Sequence, residues 1–363
     1  MPVTEAALLE ALKSVVDPNT GKDFVSAKAV KNLRIEHGDV SIDVELGYPA
    51  KSQHGALRDA LAAAARTVPG VDQVGVSIST RVISHAVQRG VQLLPGVKNI
   101  VAVASGKGGV GKSTTTVNLA LALAAEGARV GILDADIYGP SQPTMMGLSG
   151  RPDSRDGKTM EPLESHGVQV ISIGFMIEPD QAMIWRGPMA TQALEQLLRQ
   201  TNWHDLDYLL VDMPPGTGDI ALTLSQRVPL TGAVIVTTPQ DIALIDARKA
   251  LKMFEKVGVP ILGIVENMAV YCCPNCGHTE HIFGADGGRR MAAQYGADYL
   301  GALPLTMKIR EQADSGRPTV AAEPDGEIAG LYKDVARKVA VHVAARARDF
   351  SARFPTITVS KST

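Results

Sequence analysis

Apolar positions in the first 80 residues recur in two rhythms. Leu8, Leu12 and Val15 fall at helical spacing behind Thr4, whose hydroxyl suits a helix N-cap. The ring of Pro18 disfavours helical geometry before it, so Asp17-Pro18-Asn19 is expected to end that helix. Val40, Ile42, Val44 and Leu46 alternate with Ser41, Asp43 and Glu45, the pattern of a strand with one buried face. His37-Gly38-Asp39 reads as a turn joining it to an earlier strand near residues 30–35. Leu57, Leu61 and Ala65 mark a second helix, and Val74, Val76 and Ile78 a last strand. Two helices on one face of a small sheet make residues 1–80 a small α/β domain. No catalytic constellation stands out in it, which points to a docking or regulatory module. Gly90, Pro95 and Gly96 punctuate residues 81–98, which read as a linker with a short helical turn.

From residue 99 the rhythm changes. Solid apolar runs at 100–104, 130–133, 168–173, 208–211, 233–237 and 261–265 alternate with amphipathic stretches. Unbroken apolar strands separated by helices predict a doubly wound, mostly parallel sheet covered on both faces, spanning 99–345. Residues 114–126 read as the first of its helices and 327–345 as the last, with 346–363 a flexible tail. Ligands of such sheets sit beyond the carboxyl ends of the strands, so the residues there are the informative ones.

At 363 residues the chain is long enough for two or three domains of about 150 residues each. Lys plus Arg number 36 against 38 Asp plus Glu, which gives no electrostatic case for nucleic acid or a membrane surface. No apolar run approaches about 18 residues, and the N-terminus carries no basic-then-apolar leader. The three cysteines all lie between 272 and 276, an odd cluster that is no disulfide framework. A reducing compartment, the cytoplasm, and a metal or redox role are expected.

The chemistry begins after the run at 100–104. Ser105-Gly106-Lys107-Gly108-Gly109-Val110-Gly111-Lys112-Ser113, followed by Thr114, reads G-x-x-x-x-G-K-S between a strand and a helix. Glycines let backbone N–H groups converge on phosphate oxygens, and the helix N-terminus adds roughly half an elementary charge. This predicts a P-loop NTPase-type sheet binding a nucleotide such as ATP. Lys112 would reach the β- and γ-phosphates and the Ser113 hydroxyl would ligate Mg²⁺. Asp134 and Asp136 follow the run at 130–133, and Asp212 follows the run at 208–211. An Asp in that position is the expected Mg²⁺ partner.

Cys273 and Cys276 stand at C-x-x-C spacing, with Pro274 and Gly277 shaping the turn. Thiolates suit an iron–sulfur cluster or zinc. Two are too few for a Cys₄ cluster, but a symmetric dimer could supply two more. His278 and His281 make a Cys₂His₂ zinc site the rival, and a redox role the third alternative. Cys272 reads as a bystander. Arg186 could meet a partner or a switch region, although an ordinary surface role is as natural.

A lysine directly after the first glycine, as at Lys107, resembles the deviant phosphate loop of the MinD/ParA group of dimeric ATPases. The resemblance implies that Lys107 crosses the dimer interface to the partner's nucleotide and that Asp136 orients or activates the attacking water. It further implies that Asp212 holds Mg²⁺ through water and that Asn267 touches the adenine. Residues 136–141 (Asp-Ile-Tyr-Gly-Pro-Ser), 212–219 (Asp-Met-Pro-Pro-Gly-Thr-Gly-Asp), Glu266-Asn267-Met268 and the Cys273–Gly277 turn leading to Ile282-Phe283-Gly284 single out one branch. Together they resemble the Mrp/ApbC iron–sulfur cluster carrier ATPases, over residues 1–345. That likeness implies a homodimer bridged by a 4Fe–4S cluster on Cys273 and Cys276 of each subunit. Cluster donors and apo-protein recipients are then the partners, with no nucleic acid or membrane involved. Asp17-Pro18 matches the acidic-proline turn of the small domain that recurs in iron–sulfur assembly factors. Asn19 stands where that domain usually has glutamate, and its later cysteine is absent. A positioning ATPase and a zinc-stabilised regulatory module are the competing functions.

Overall fold

The computed structural model describes residues 3–88, 91–176, 187–273 and 275–346. Arg186, Pro274 and residues 347–363 of the tail lie outside the described residues. The N-terminal unit runs α1 (Glu5–Leu12), β1 (Val30–Glu36), β2 (Asp39–Leu46), α2 (His54–Arg66) and β3 (Val74–Thr80). Thr4 caps α1, its side-chain oxygen accepting from the Ala7 N–H at 3.3 Å. The helix stops at Leu12, short of Pro18. The Asp17 carboxylate is buried and engaged elsewhere, accepting from the Tyr48 hydroxyl at 2.6 Å and the Thr20 hydroxyl at 2.9 Å. The chain must turn early to bring it there. His37 and Gly38 both take positive φ, 52° and 99°, and close the antiparallel β1–β2 hairpin. β3 lies parallel to β2 on its other side, with α2 as the crossover. Val40, Ile42, Val44 and Leu46 of β2 bury one sheet face against Leu8, Leu12, Leu57 and Leu61.

The large unit contains β4 (Val97–Ala104), α3 (Lys112–Ala125), β5 (Val130–Asp134), α4 (Gln142–Met145), β6 (Leu163–Ser165), β7 (Val168–Ser172) and α5 (Gly187–Gln200). It continues through β8 (Leu206–Asp212), α6 (Asp219–Arg227), β9 (Gly232–Thr237), α7 (Asp241–Lys256) and β10 (Ile261–Glu266). A small hairpin follows, β11 (Tyr271–Cys272) and β12 (Thr279–Glu280). Then come α8 (Gly287–Tyr295), β13 (Tyr299–Ala302), α9 (Met307–Asp314), α10 (Thr319–Ala322) and α11 (Glu327–Ala344). Eight strands form one sheet in the order β13-β10-β9-β4-β8-β5-β7-β6, parallel except for the antiparallel edge strand β6. β5, β8 and β9 are buried throughout, as expected of strands covered on both faces. No helix among the described residues is long and apolar enough to cross a membrane.

β4 begins at Val97, two residues inside the segment expected to be linker, and the described part of 81–96 contains no helix. Polar groups of that segment are bonded to the large unit. His85 Nδ1 lies 2.9 Å from Asn99 Oδ1. Gln88 donates to the carbonyls of Ser225 at 2.9 Å and Val228 at 3.1 Å and accepts from the Leu230 N–H.

Candidate functional site

The phosphate loop leaves β4 at the middle of the sheet and opens directly into α3. Gly106 lies so close to α7 that a Cβ there would sit 2.0 Å from the Asp246 carbonyl carbon. Gly109 and Gly111 take φ of 80° and 79°, a region L side chains rarely adopt. The Ser105 hydroxyl donates to the Lys107 carbonyl at 2.9 Å and pins the first turn. Gly111 caps α3 with no side-chain bond, which leaves the first helical N–H groups free for an anion. Val110 is buried under the loop, Gly108 and Gly109 are exposed, and Ser113 and Thr114 are half-buried. Lys107 is exposed, and its ammonium has no partner among the described residues.

Lys112 turns inward. Its Nζ lies 2.6 Å from Asp212 Oδ1, 3.1 Å from Ser113 Oγ and 3.6 Å from Asp136 Oδ2. β5 and β8 are neighbours with Asp134 opposite Asp212, so adjacent strand ends deliver the acids to one place. Asp134 is fully buried and accepts from the Ser172 hydroxyl at 3.0 Å and the Gln142 N–H at 3.1 Å. Burial first, and then the charge of Asp212, pushes its pKa up to about 7. Asp136 is also raised, chiefly by burial. Ser113 and Asp212 form a hard-oxygen pair beside the loop, a donor set that fits Mg²⁺. Asn267 is buried behind the loop, where its Nδ2 donates to the Val110 carbonyl at 2.9 Å.

Three participants escape sequence reasoning. The Thr116 hydroxyl lies 3.0 Å from Asp212 Oδ1 and 2.9 Å from the Lys112 carbonyl. Ser172 arrives from β7, and Gln142 from α4 bridges Asp212 and Ser113. Thr116 was within reach of a helical-spacing argument, being one turn beyond Lys112. The other two depend on strand order and carry no local signal.

The thiols occupy the tip of the β11–β12 hairpin. The Cys273 N–H donates to the His278 carbonyl at 2.8 Å and the Gly277 N–H to the Cys273 carbonyl at 2.9 Å. Gly277 takes φ of 72° to close this turn. The backbone N–H groups of Asn275 and Cys276 point at the Cys273 sulfur and lower its pKa. Cys276 and Cys272 are exposed and Cys273 partly so. His281 faces the backbone, its Nδ1 2.7 Å from the Ala269 carbonyl oxygen. Among the described residues no group of three or more His, Cys, Asp or Glu side chains could hold a metal ion. The hairpin follows Asn267 at the end of β10, so thiols and phosphate loop lie beyond the same end of the sheet.

Comparison with known proteins places this geometry among relatives. The family model of NUBPL iron-transfer P-loop NTPases matches residues 96–340, and that of iron–sulfur cluster assembly proteins matches residues 5–78. The chain is 48% identical over 349 residues to an iron–sulfur cluster carrier protein of Escherichia coli K12, covering 94% of this chain and 95% of that one. It is 60% identical over 269 residues to a carrier of the same description from Pseudomonas fragi, covering 74% and 94%. With the iron–sulfur cluster transfer protein NUBPL of Mus musculus it shares 53% identity over 248 residues, covering 68% and 78%. Among solved structures, a nucleotide-binding protein of Archaeoglobus fulgidus in complex with ADP is 38% identical with a TM-score of 0.56, covering 64% of this chain and 90% of that one. The cell-division ATPase MinD of Pyrococcus furiosus, at 22% identity and a TM-score of 0.51 over 66% and 98% of the two chains, shares the fold.

Proposed function

Because the chain belongs to the NUBPL iron-transfer P-loop NTPase family, we propose that it is an ATP-hydrolysing carrier of iron–sulfur clusters that works as a homodimer in the reducing cytoplasm. One observation carries the reading. A nucleotide-binding loop and a two-thiol hairpin with no third ligand among the described residues share one end of the sheet. Half a ligand set there calls for a second copy.

Surface chemistry supports that copy. Ile242 and Ile245 are exposed on α7, whose backbone presses on Gly106, and Ile282 is exposed just past the hairpin. Lys107, exposed and without a partner among the described residues, would reach across such an interface. In the dimer it would stabilise charge on the transferring phosphoryl group.

Within the site, backbone N–H groups of residues 106–114 would bind the phosphates. Lys112 would exchange its contact with Asp212 for the β- and γ-phosphate oxygens. Ser113 and Asp212 would hold Mg²⁺, which neutralises phosphate charge when bound. Asp136, partly exposed and half-way released by the departure of Lys112, would orient the attacking water. Asn267, braced on Val110, would touch the adenine. Cys273 and Cys276 would ligate a 4Fe–4S cargo and release it to apo-proteins.

The test is anaerobic reconstitution with iron and sulfide, followed by metal counts and sedimentation. About four iron and four sulfide per dimer are expected, lost in Cys276→Ala. Stoichiometric zinc on a monomer, with no iron uptake, overturns the proposal.

A further inference from the structure

Gln142 is a fully buried polar residue at the start of α4, and its side chain reaches between two parts of the nucleotide site. Its Nε2 donates to Asp212 Oδ2 at 3.0 Å and to the Ser113 carbonyl at 3.1 Å. Its backbone N–H donates to Asp134 Oδ2 at 3.1 Å. Its Oε1 is buried with no hydrogen-bond partner among the described residues. Turning the amide over does not relieve this. Asp212 Oδ2 and the Ser113 carbonyl are both acceptors, so nitrogen must face them and oxygen is left unmatched. A buried amide oxygen without a donor is unfavourable, and its presence in a well-packed site calls for an explanation.

We propose that Gln142 is a positioning residue for the magnesium–nucleotide complex: its amide nitrogen fixes Asp212 against the phosphate loop, and its free amide oxygen accepts a hydrogen bond from a metal-bound water. The inference rests on the nucleotide reading above. Water on a divalent cation donates and does not accept, so it matches the unmet Oε1 and could not match Nε2. The two halves of one rigid amide then serve both layers around the ion. One orients a ligand carboxylate and the other holds the hydration shell. Side chains that orient metal ligands in this way typically contribute 10–100-fold to metal affinity.

Gln142→Leu keeps the shape and removes both functions, while Gln142→Glu keeps an acceptor oxygen and loses the donation. Calorimetry with ADP, in Mg²⁺ and in EDTA, separates metal support from loop support. For Gln142→Leu we expect ADP affinity in Mg²⁺ to fall about tenfold, with affinity in EDTA changed by less than about twofold. The Mg²⁺ concentration for half-maximal hydrolysis should rise by a similar factor, and kcat should fall more than KM rises. Gln142→Glu should recover most of the Mg²⁺ dependence while kcat stays low. Equal losses with and without Mg²⁺ would reduce Gln142 to a brace for the loop and overturn the proposal, as would an unchanged Mg²⁺ requirement in Gln142→Leu. If the unaltered protein bound no ADP in either condition, the nucleotide reading itself would fall.

Discussion

Lys112 is buried among carboxylates, and that decides what its removal would do. Without its ammonium, Asp212 keeps only the donations of Thr116 and Gln142, and Asp136 loses its cation. Lys112→Ala should therefore abolish hydrolysis and also destabilise the nucleotide-free protein. Breaking a buried ion pair from one side typically costs about 3–5 kcal/mol, which urea unfolding would read. Asp134 gives the opposite kind of prediction. Its folded pKa, about 7, lies above that of a free aspartate. Its contribution is thus fully present below about pH 4 and lost as pH rises through 7. In EDTA and without nucleotide, unfolding free energy should decline between about pH 4 and 7 and level off above that, and Asp134→Asn should flatten the slope. A slope unchanged by the substitution would place the titrating group elsewhere. At this scale the residues that converge beside the loop were legible, because a P-loop and strand-end aspartates are local patterns. Gln142 and Ser172 were not, since their side chains bond carboxylates 70 and 38 residues away.

Glycine use in the phosphate loop shows how an element is held in place by its neighbour. The loop rests on α7 through Gly106, where a Cβ would meet the backbone of Asp246 and Ala247, which cannot move aside as a side-chain tip can. Gly106→Ala should push the loop off α7, lower stability and weaken ADP binding at least about tenfold, an effect of misplacing N–H groups that act together. Gly108→Ala is the control. Nothing lies within 4 Å of a Cβ there, so thermal stability should stay near that of the unaltered protein. Equal melting temperatures for the two variants would refute the steric account. The strands of the large sheet were readable from the sequence because fully buried strands are continuous apolar runs. Element ends were less so. α3 starts at Lys112 rather than Thr114, because Gly111 in a left-handed conformation already turns the chain into the helix. β4 starts early because Val97 pairs with Leu206 on β8, a contact between distant segments.

At the scale of the molecule, the two units meet at a docked junction outside the segment read as a linker. Glu126 ends α3 and is buried, accepting from the Ser52 N–H at 2.9 Å and the Ser52 hydroxyl at 2.6 Å. Arg337 of α11 donates to the same carboxylate and is held in turn by Asp334. The Lys51 N–H adds a bond to the Glu126 carbonyl at 3.1 Å. Composition could reveal two units but not this seat, whose members are 74 and 211 residues apart. A carboxylate at a helix C-terminus opposes the helix dipole, so the position is tenable only with Arg337 and Ser52 in place. The helix whose first turn continues the glycine loop thus carries the N-terminal unit at its last. Glu126→Ala should leave Arg337 buried with only Asp334 and the Ser52 hydroxyl as partners, a loss of about 3 kcal/mol or more at the junction. Unfolding in urea should then split into two steps, and proteolysis within residues 81–98 should accelerate. Ser52→Ala alone removes hydrogen bonds without stranding a charge and should cost about 1 kcal/mol. A double-mutant cycle on Ser52 and Glu126 would show the pairing as a coupling energy, whereas strict additivity would mean that the two units are held together by their apolar contacts instead.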